Sequence, residues 1–200
     1  ASVPAGNPTP AYYGRPPRPF DEMYGSSVVA LDAVTGRPRW HFQTAHHDLW
    51  DYDVPSQPTL VDVPGPNGTI IRGLIQPTKR GELFYLDRAT GKPIARVEER
   101  KAPQRGKEKN ERLSPTQPFS VGLPSIAGPD LTERTMWGMT PLDQLWCRLD
   151  FRQSRYDGPM TPPGLPRSIF FPGYGGGSNW GSVSVDRDRN IMIVNGMHMA

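Results

Sequence analysis

One stretch of eight residues, 46–53, concentrates the groups that can do chemistry. It reads His-His-Asp-Leu-Trp-Asp-Tyr-Asp, which places two imidazoles, three carboxylates and two large aromatic side chains side by side. Carboxylates and imidazoles are seldom buried without a partner. The stretch follows a predicted strand over residues 39–44, so we expect it to lie in a loop held by a sheet, where functional groups are commonly found. The structural alternative is a polar turn with one capping carboxylate.

The composition indicates which elements hold this stretch in place. The 200 residues include 24 Pro and 21 Gly, and both residue types disfavour long helices. We therefore expect many short strands joined by turns. Hydrophobic residues make up only 36%, but five Trp, seven Tyr and seven Phe are enough to form a core between sheets.

Charge and cysteine content exclude several classes of function. The net charge is +3, and the basic residues of 96–112 alternate with acidic ones without interleaved aromatics, which predicts a solvated loop and no nucleic-acid partner. The single cysteine, Cys147, excludes a disulfide framework and a cysteine-based zinc site. The sequence contains no apolar run near the roughly 20 residues of a membrane helix. No signal peptide is visible, and we expect the chain to be part of a longer protein.

An internal repeat predicts the architecture. Leu-Asp-Ala-Val-Thr-Gly-Arg-Pro at 31–38 matches Leu-Asp-Arg-Ala-Thr-Gly-Lys-Pro at 86–93, an offset of 55 residues. A period near 50 residues indicates propeller blades or a solenoid, and short hairpins favour the propeller. A third, looser copy covers residues 182–194, where an Asp-rich turn joins two apolar strands.

The segments around the repeats complete the prediction. Further strands are expected at residues 57–63, 69–77 and 83–86, followed by an insertion over about residues 93–168. The insertion carries one helix, with Thr140 as N-cap and a proline at the first position. We predict that Trp146 and Cys147 on this helix pack into the core. A glycine-rich loop follows at 173–181, and its glycines would let the backbone approach a flat ligand.

These motifs together resemble a known family. Ala-Leu-Asp-Ala-Val-Thr-Gly-Arg-Pro-Arg-Trp at 30–40 is similar to the tryptophan-docking motif of quinoprotein dehydrogenases, although Ala95 replaces the tryptophan in the second repeat. Other shared segments follow the family's order along nearly the whole chain. They are Gly-Asn-Pro-Thr-Pro at 6–10, His-His-Asp-Leu-Trp-Asp at 46–51, Gln-Pro-Thr-Lys-Arg-Gly at 76–81, Ser-Pro-Thr-Gln-Pro-Phe at 114–119, Met-Trp-Gly at 136–138 with Asp-Gln-Leu at 143–145, and Phe-Pro-Gly at 171–173 with Asn-Trp-Gly at 179–181.

The resemblance implies a fold and an activity. Quinoprotein dehydrogenases are eight-bladed β-propellers that bind pyrroloquinoline quinone (PQQ) and a divalent cation, Ca²⁺ or Mg²⁺. Within them, the chain looks most like the membrane-bound glucose, quinate and shikimate dehydrogenases. We therefore expect residues 1–200 to form an all-β fragment of about three to four blades, with a helical insertion at about 93–168. The missing upstream part would hold the carboxylate metal ligand, the tryptophan under PQQ and any membrane helices.

The resemblance also assigns roles to two charged residues. Asp51 matches the family's catalytic base, which removes the hydroxyl proton while hydride leaves the substrate; a carboxylate within hydrogen-bond reach can do this. Lys79 matches the basic residue beside the ortho-quinone, where a cation stabilises negative charge on the quinone oxygens. Without the resemblance, Lys79 would be interpreted as a solvated turn lysine.

Five further residues are implicated in binding. Asn7 matches an asparagine that supplies an amide oxygen to the metal, a ligand suited to Ca²⁺ or Mg²⁺; a turn asparagine is its structural alternative. Asn179 and Trp180 match a loop lining the cofactor, where an indole can pack on the flat ring system. His46 and His47 are expected to orient the carboxylates or to reach the substrate.

The implied function is that of a membrane-linked enzyme. The parent protein would oxidise a cyclic polyol or sugar (glucose, quinate or shikimate) and pass electrons to ubiquinone at the periplasmic side of the inner membrane. The fragment alone would be inactive and would self-associate. Two other functions stay open, a non-catalytic β-propeller scaffold for partner proteins and a sugar-binding module without redox chemistry. The combination of Asp51, Lys79 and Asn179 favours the enzyme, because a scaffold does not need it.

Overall fold

The computed structural model describes residues 1–13, 18–165 and 167–198, and the strands within these ranges form four small antiparallel sheets. The sheets are ordered β1-β2-β3, β4-β5-β6, β7-β8 and β10-β9. The strands are β1 (Ser2–Pro4), β2 (Ser27–Leu31), β3 (Pro38–Gln43), β4 (Thr59–Pro64), β5 (Ile70–Pro77), β6 (Leu83–Asp87), β7 (Val97–Lys101), β8 (Thr116–Ser120), β9 (Val183–Asp186) and β10 (Ile191–Val194); the helices are α1 (Pro19–Tyr24) and α2 (Pro141–Gln153).

The repeated turns owe their shape to one aspartate each. Oδ1 of Asp32 accepts hydrogen bonds from the main-chain N–H groups two and three residues further on and from the Thr35 hydroxyl. Asp87 makes the same three bonds in the second turn. Each turn closes with a glycine at positive φ, Gly36 at 69° and Gly91 at 73°, a conformation that costs glycine little. The Asp-x-x-Thr-Gly spacing is therefore a local hydrogen-bonding unit.

Trp40 of β3 docks on the second turn. Its indole N–H donates to the carbonyl of Arg88 at 3.2 Å, and a Cβ built at Gly91 would lie 2.5 Å from the indole ring. The first sheet is thus attached to the turn after β6. That turn has no long returning strand, because only the isolated pair Leu86–Pro93 follows it. The second repeat therefore resembles the first in its turn and not in a complete hairpin.

We expect Gly91→Ala to destabilise the fold more than Gly36→Ala does. Both substitutions force a non-glycine residue into positive φ, which costs about 1–2 kcal/mol, but a Cβ at Gly36 meets nothing within 4 Å. Displacing the indole should add about 1–3 kcal/mol for Gly91→Ala. Urea unfolding of the two variants measures the difference, and equal losses would contradict the docking contact.

Three clusters of buried apolar side chains connect the sheets. The first joins β2, β5 and β6, the second lies behind residues 46–53, and the third joins the β4-β5-β6 sheet to β9. Their buried members are Val28, Val54, Leu74, Phe84 and Leu86 in the first; Ala45, Leu49, Trp50, Tyr52 and Met160 in the second; and Val61, Ile75, Leu83 and Val183 in the third. The stretch that carries the chemistry is therefore anchored directly to the core.

Helix α2 begins as predicted but packs differently. Thr140 and Asp143 form a reciprocal capping box, which confirms the predicted start. The prediction that Trp146 packs into the core is wrong, since it is 74% exposed, and Cys147 is only half-buried. Helical spacing shows which residues share a face, not whether another element covers it. No helix in the described ranges is long and apolar enough to cross a membrane.

The predicted helical insertion at about 93–168 also contains a sheet. Strands β7 and β8 pair in antiparallel register at its start, from Val97 opposite Ser120 to Lys101 opposite Thr116. The sequence did not predict β7, because four of its five residues are charged and largely solvent-facing, so the strand lacks an apolar pattern. Pairing with the more buried β8 stabilises it. The insertion is thus part sheet and part helix.

Candidate active site

The stretch at 46–53 presents its carboxylates on one side and its aromatics on the other. Trp50 and Tyr52 are almost fully buried, stack with ring centroids 6.2 Å apart, and hydrogen-bond to main-chain carbonyls across the core. Asp51 and Asp53 alternate with them and are partly exposed. The backbone is not a regular strand here, since Asp51 has φ of 63°, and the burial of Trp50 and Tyr52 fixes which way the segment faces. The buried aromatics therefore direct the two carboxylates outward together.

One ammonium group joins these two carboxylates. Lys79 lies in the turn between β5 and β6, and its Nζ is 3.0 Å from Oδ2 of Asp51 and 2.6 Å from Oδ2 of Asp53. Burial opposes the charge on Lys79, but the hydrogen bonds to Asp53 and Asp51 outweigh it and raise the lysine pKa. The lysine is therefore held in its charged form against both carboxylates.

The three carboxylates of the stretch differ in whether one of their oxygens remains free to accept a hydrogen bond. Asp48 is buried and accepts hydrogen bonds from the Ser26 hydroxyl and the Trp50 N–H, at 2.6 Å and 2.8 Å. Asp53 uses one oxygen for Lys79 and the other for a main-chain N–H. Asp51 is different, since its side chain is 31% exposed and, within the described residues, no hydrogen bond reaches its Oδ1. Asp51 alone of the three presents a free oxygen.

The buried Asp48 predicts a pH dependence of stability. Burial raises its pKa from an ordinary 3.8 to about 6, so the folded state binds more protons between these values and becomes less stable as the pH rises from about 4 to about 6. Asp48→Asn should remove this loss, which is at most about 3 kcal/mol. Urea unfolding at pH 4 and pH 7, with the exposed Asp188→Asn as control, measures it; parallel behaviour of wild type and Asp48→Asn would refute the prediction.

Asn7 lies next to the carboxylates with an unused amide. Its N–H donates to Asp53 and the carbonyl of Gly6 accepts from Ser26, which fixes this segment between the stretch and β2. Neither Oδ1 nor Nδ2 of Asn7 has a hydrogen-bond partner among the described residues, although both atoms are buried. A buried amide without partners costs about 1–3 kcal/mol. The amide oxygen therefore fits a hard cation such as Ca²⁺ or Mg²⁺.

The metal site is not complete within this chain as described. The described residues contain no group of three or more His, Cys, Asp or Glu side chains that could hold a metal ion. A neutral amide oxygen is one ligand of the six to eight that Ca²⁺ takes. The residues present are thus compatible with a contribution to a cation site, with the remaining ligands coming from elsewhere.

The glycine-rich loop packs against the lysine. The N–H of Gly177 bonds the carbonyl of Lys79 at 2.5 Å, and a Cβ at Gly176 would lie 2.7–2.9 Å from the Lys79 side chain and Cα. In this structure the glycines let the backbone approach Lys79. The amide of Asn179 donates within its own loop, and Trp180 is 84% exposed. Asn179 and Trp180 thus lie on the loop that supports Lys79.

The two histidines are tied into the scaffold. The ring nitrogens of both lie within hydrogen-bond distance of other side chains, and the His47 ring is buried. The described partners are Gln43 and Glu99 for His46, and Glu22, Glu111 and Arg112 for His47. These contacts connect the stretch to α1, β3 and β7. Their predicted roles in orienting Asp51 or reaching a substrate stay predictions.

Two residues near the cluster were not singled out for binding from the sequence. Asp53 is the first of them, and it shares the ammonium of Lys79 with Asp51. Tyr12 stacks on Phe170 with ring centroids 6.2 Å apart. Burial and then the charge of Asp51 raise the pKa of Tyr12, so its phenol lies close to the cluster. No sequence signal other than closeness to Asn7 pointed to Tyr12.

The fold agrees with the comparisons to known proteins. Residues 2–200 match the family described as "PQQ: Glucose/ethanol/alcohol dehydrogenase, beta-propeller domain". The chain belongs to this family, which confirms the resemblance found in the sequence and the β-propeller fold.

Similar proteins are quinoprotein dehydrogenases of several kinds. The glycerol dehydrogenase large subunit of Gluconobacter thailandicus is 53% identical over 96% of this chain and 26% of its own length. The probable quinate dehydrogenase (quinone) of Xanthomonas campestris pv. juglandis is 45% identical over 98% of this chain and 25% of its own. The quinoprotein glucose dehydrogenase of Escherichia coli K12 is 44% identical over 98% and 24%. The chain therefore spans about a quarter of the length of these relatives.

A solved structure shares the fold. The quinohemoprotein alcohol dehydrogenase from Comamonas testosteroni aligns with a TM-score of 0.51 over 96% of this chain and 23% of its own, at 21% sequence identity. At that identity the likeness supports the propeller fold and no residue role.

Proposed function

We propose that the protein containing this chain is a PQQ-dependent dehydrogenase that oxidises a hydroxyl group of a polyol or sugar, and that this chain forms one wall of its active site. One observation carries the proposal: Lys79 bridges Asp51 and Asp53, Asp51 keeps a free oxygen, and the unpartnered amide of Asn7 lies beside them. A scaffold or a sugar-binding module has no use for a buried cation held against two carboxylates.

Each residue has a separate role in the proposed reaction. The bound PQQ supplies the electron-accepting ortho-quinone. Oδ1 of Asp51 accepts the proton of the substrate hydroxyl, because it is the carboxylate oxygen without a protein donor. The ammonium of Lys79 would stabilise negative charge on the acceptor oxygens. The amide oxygen of Asn7 would bind Ca²⁺ or Mg²⁺.

The loop after Phe171-Pro172 supplies the remaining contacts. The exposed indole of Trp180 would pack on the flat cofactor, and Asn179 holds the loop in shape by donating to the carbonyl of Gly175 at 3.1 Å. Because the same loop bonds the backbone at Lys79, cofactor contact and lysine position depend on one segment.

The substrate and acceptor follow from the relatives' names. The similar proteins are named for glycerol, quinate and glucose, so the proposed substrate is a polyol or sugar and includes acyclic glycerol besides cyclic compounds. The name of one relative includes the word quinone, and we propose ubiquinone as the electron acceptor. We place the reaction at the periplasmic side of the inner membrane.

The experiment uses the full-length protein freed of cofactor. PQQ with Ca²⁺ or Mg²⁺ is added, and dye reduction is followed with glycerol, glucose, quinate and shikimate. We expect reduction that needs PQQ and a divalent cation together. Sugar binding without dye reduction would favour a binding module, and neither binding nor reduction would favour a scaffold; either result would overturn the proposal.

The 200-residue chain alone should behave differently from the full-length protein. A propeller closes its ring to avoid open sheet edges, and unpaired edges invite association. We therefore expect the isolated chain to self-associate, to bind PQQ weakly or not at all, and to show no dehydrogenase activity. Light scattering and a PQQ titration test this together, and a monomer with submicromolar affinity for PQQ would contradict it.

A further inference from the structure

We propose that Asp53 is a positioning residue that fixes the position of Lys79 relative to the segment carrying Asn7. Asp53 thereby keeps the group assigned to the cofactor, Lys79, next to the group assigned to the cation, Asn7. The inference rests on the proposed function, because it assigns Lys79 to the quinone and Asn7 to the cation. It gives Asp53 a role distinct from that of a base, since neither of its oxygens is left for a substrate.

The first half of the role is the contact with Lys79. Oδ2 of Asp53 lies 2.6 Å from Nζ, closer than the 3.0 Å of Asp51. An ammonium group has three donors and no preferred plane, so with Asp51 as its sole carboxylate partner it could turn fully onto that residue. The second carboxylate thus shares the ammonium and leaves Oδ1 of Asp51 available.

The second half is the contact with the chain before Asn7. Oδ1 of Asp53 accepts the main-chain N–H of Asn7, and a Cβ built at Gly6 would lie 2.9 Å from this same oxygen. The segment therefore lies directly against the carboxylate, and glycine at position 6 permits this approach. From the other side, the carbonyl of Gly6 accepts the N–H of Ser26 at 3.1 Å. These two main-chain contacts fix the position of the segment that carries the buried Asn7 amide.

Asp51 offers a matched comparison for Asp53. Both carboxylates contact Lys79, but of the two only Asp53 also accepts the main-chain N–H of Asn7 among the described residues. An asparagine at either position removes one charged partner of the lysine. Only Asp53→Asn also disturbs Asn7, because the new side chain has one acceptor oxygen where Asp53 uses two, one for Lys79 and one for the N–H of Asn7. Comparing the two variants therefore separates the loss of a charged partner for Lys79, which both share, from the effect on Asn7, which is specific to Asp53→Asn.

The first measurement needs no cofactor. In the full-length apoprotein, acylation of Lys79 by acetic anhydride is measured by mass spectrometry relative to the exposed Lys92. We expect Asp53→Asn and Asp51→Asn each to raise Lys79 labelling about tenfold, since each loses a charge-assisted hydrogen bond. Unchanged labelling in Asp53→Asn would overturn the inference. Lys92 corrects for the amounts of reagent and protein, and equal urea-unfolding midpoints of variant and wild type exclude general unfolding as the cause.

The second measurement is the Ca²⁺ requirement for PQQ binding, which tests the role of Asp53 at Asn7. We expect Asp53→Asn to raise the Ca²⁺ concentration for half-maximal PQQ binding by about tenfold or more, and Asp51→Asn to leave it within about twofold. Asp53→Glu keeps the lysine partner but pushes on Gly6, so it should raise the Ca²⁺ requirement without raising Lys79 labelling. Equal Ca²⁺ requirements in Asp53→Asn and wild type would overturn the joint role. If wild type binds no PQQ, the proposed function fails, while the labelling result still decides the Asp53–Lys79 contact.

Discussion

Asp51→Asn in the full-length protein is expected to lower kcat by about 10² or more while PQQ stays bound. Asparagine has the size of aspartate but cannot accept the hydroxyl proton. It is also among the residues that best tolerate positive φ, and Asp51 has φ of 63°. The substitution therefore removes the base without adding backbone strain, and the loss should fall on turnover.

The controls separate chemistry from folding and binding. Asp188→Asn, in the exposed β9–β10 turn, should turn over like wild type. PQQ titration and steady-state kinetics of Asp51→Asn should show retained cofactor and a reduced kcat. Near-normal turnover would refute the assignment of Asp51 as the base. Asp48 and Asp53 are less suited to replace it, because hydrogen bonds occupy both oxygens of each.

Lys79→Ala should have the other large effect, a loss of about 10²–10³ in kcat at saturating PQQ together with weaker PQQ binding. The variant removes the cation at the acceptor oxygens. It also leaves Asp51 and Asp53 facing each other without the ammonium that now joins them, and like charges at short range oppose each other. Cofactor titration and rapid-mixing kinetics of the reconstituted protein measure the two losses separately.

Two further variants define the result for Lys79. Lys92→Ala removes an exposed lysine in the second repeated turn and should leave binding and turnover unchanged. Lys79→Arg keeps the charge in a planar fork of different geometry, so it should recover part of the PQQ affinity and less of the rate. If Lys79→Ala left both the PQQ affinity and kcat unchanged, Lys79 would have a structural role only.

Several features could be predicted from the sequence because short-range chemistry decides them. The Asp-x-x-Thr-Gly turns close through hydrogen bonds from Asp32 and Asp87 to groups two and three residues away. Helix α2 begins at Thr140 through a capping box of four residues. Each of these patterns lies within a few residues, so reading along the chain is enough to detect it.

Only the tertiary structure decided which of these groups meet. Lys79 is 26 residues from Asp53 and 28 from Asp51, and no local pattern pairs them. The exposure of Trp146 and the approach of Gly176 to Lys79 likewise depend on which elements pack together. Sequence spacing determines the direction of a side chain within its element, whereas burial and long-range charge pairs are properties of the packed sheets. The resemblance of the sequence to a family could therefore suggest candidate site residues, but the shared ammonium, the free oxygen of Asp51 and the position of Asp53 required the fold.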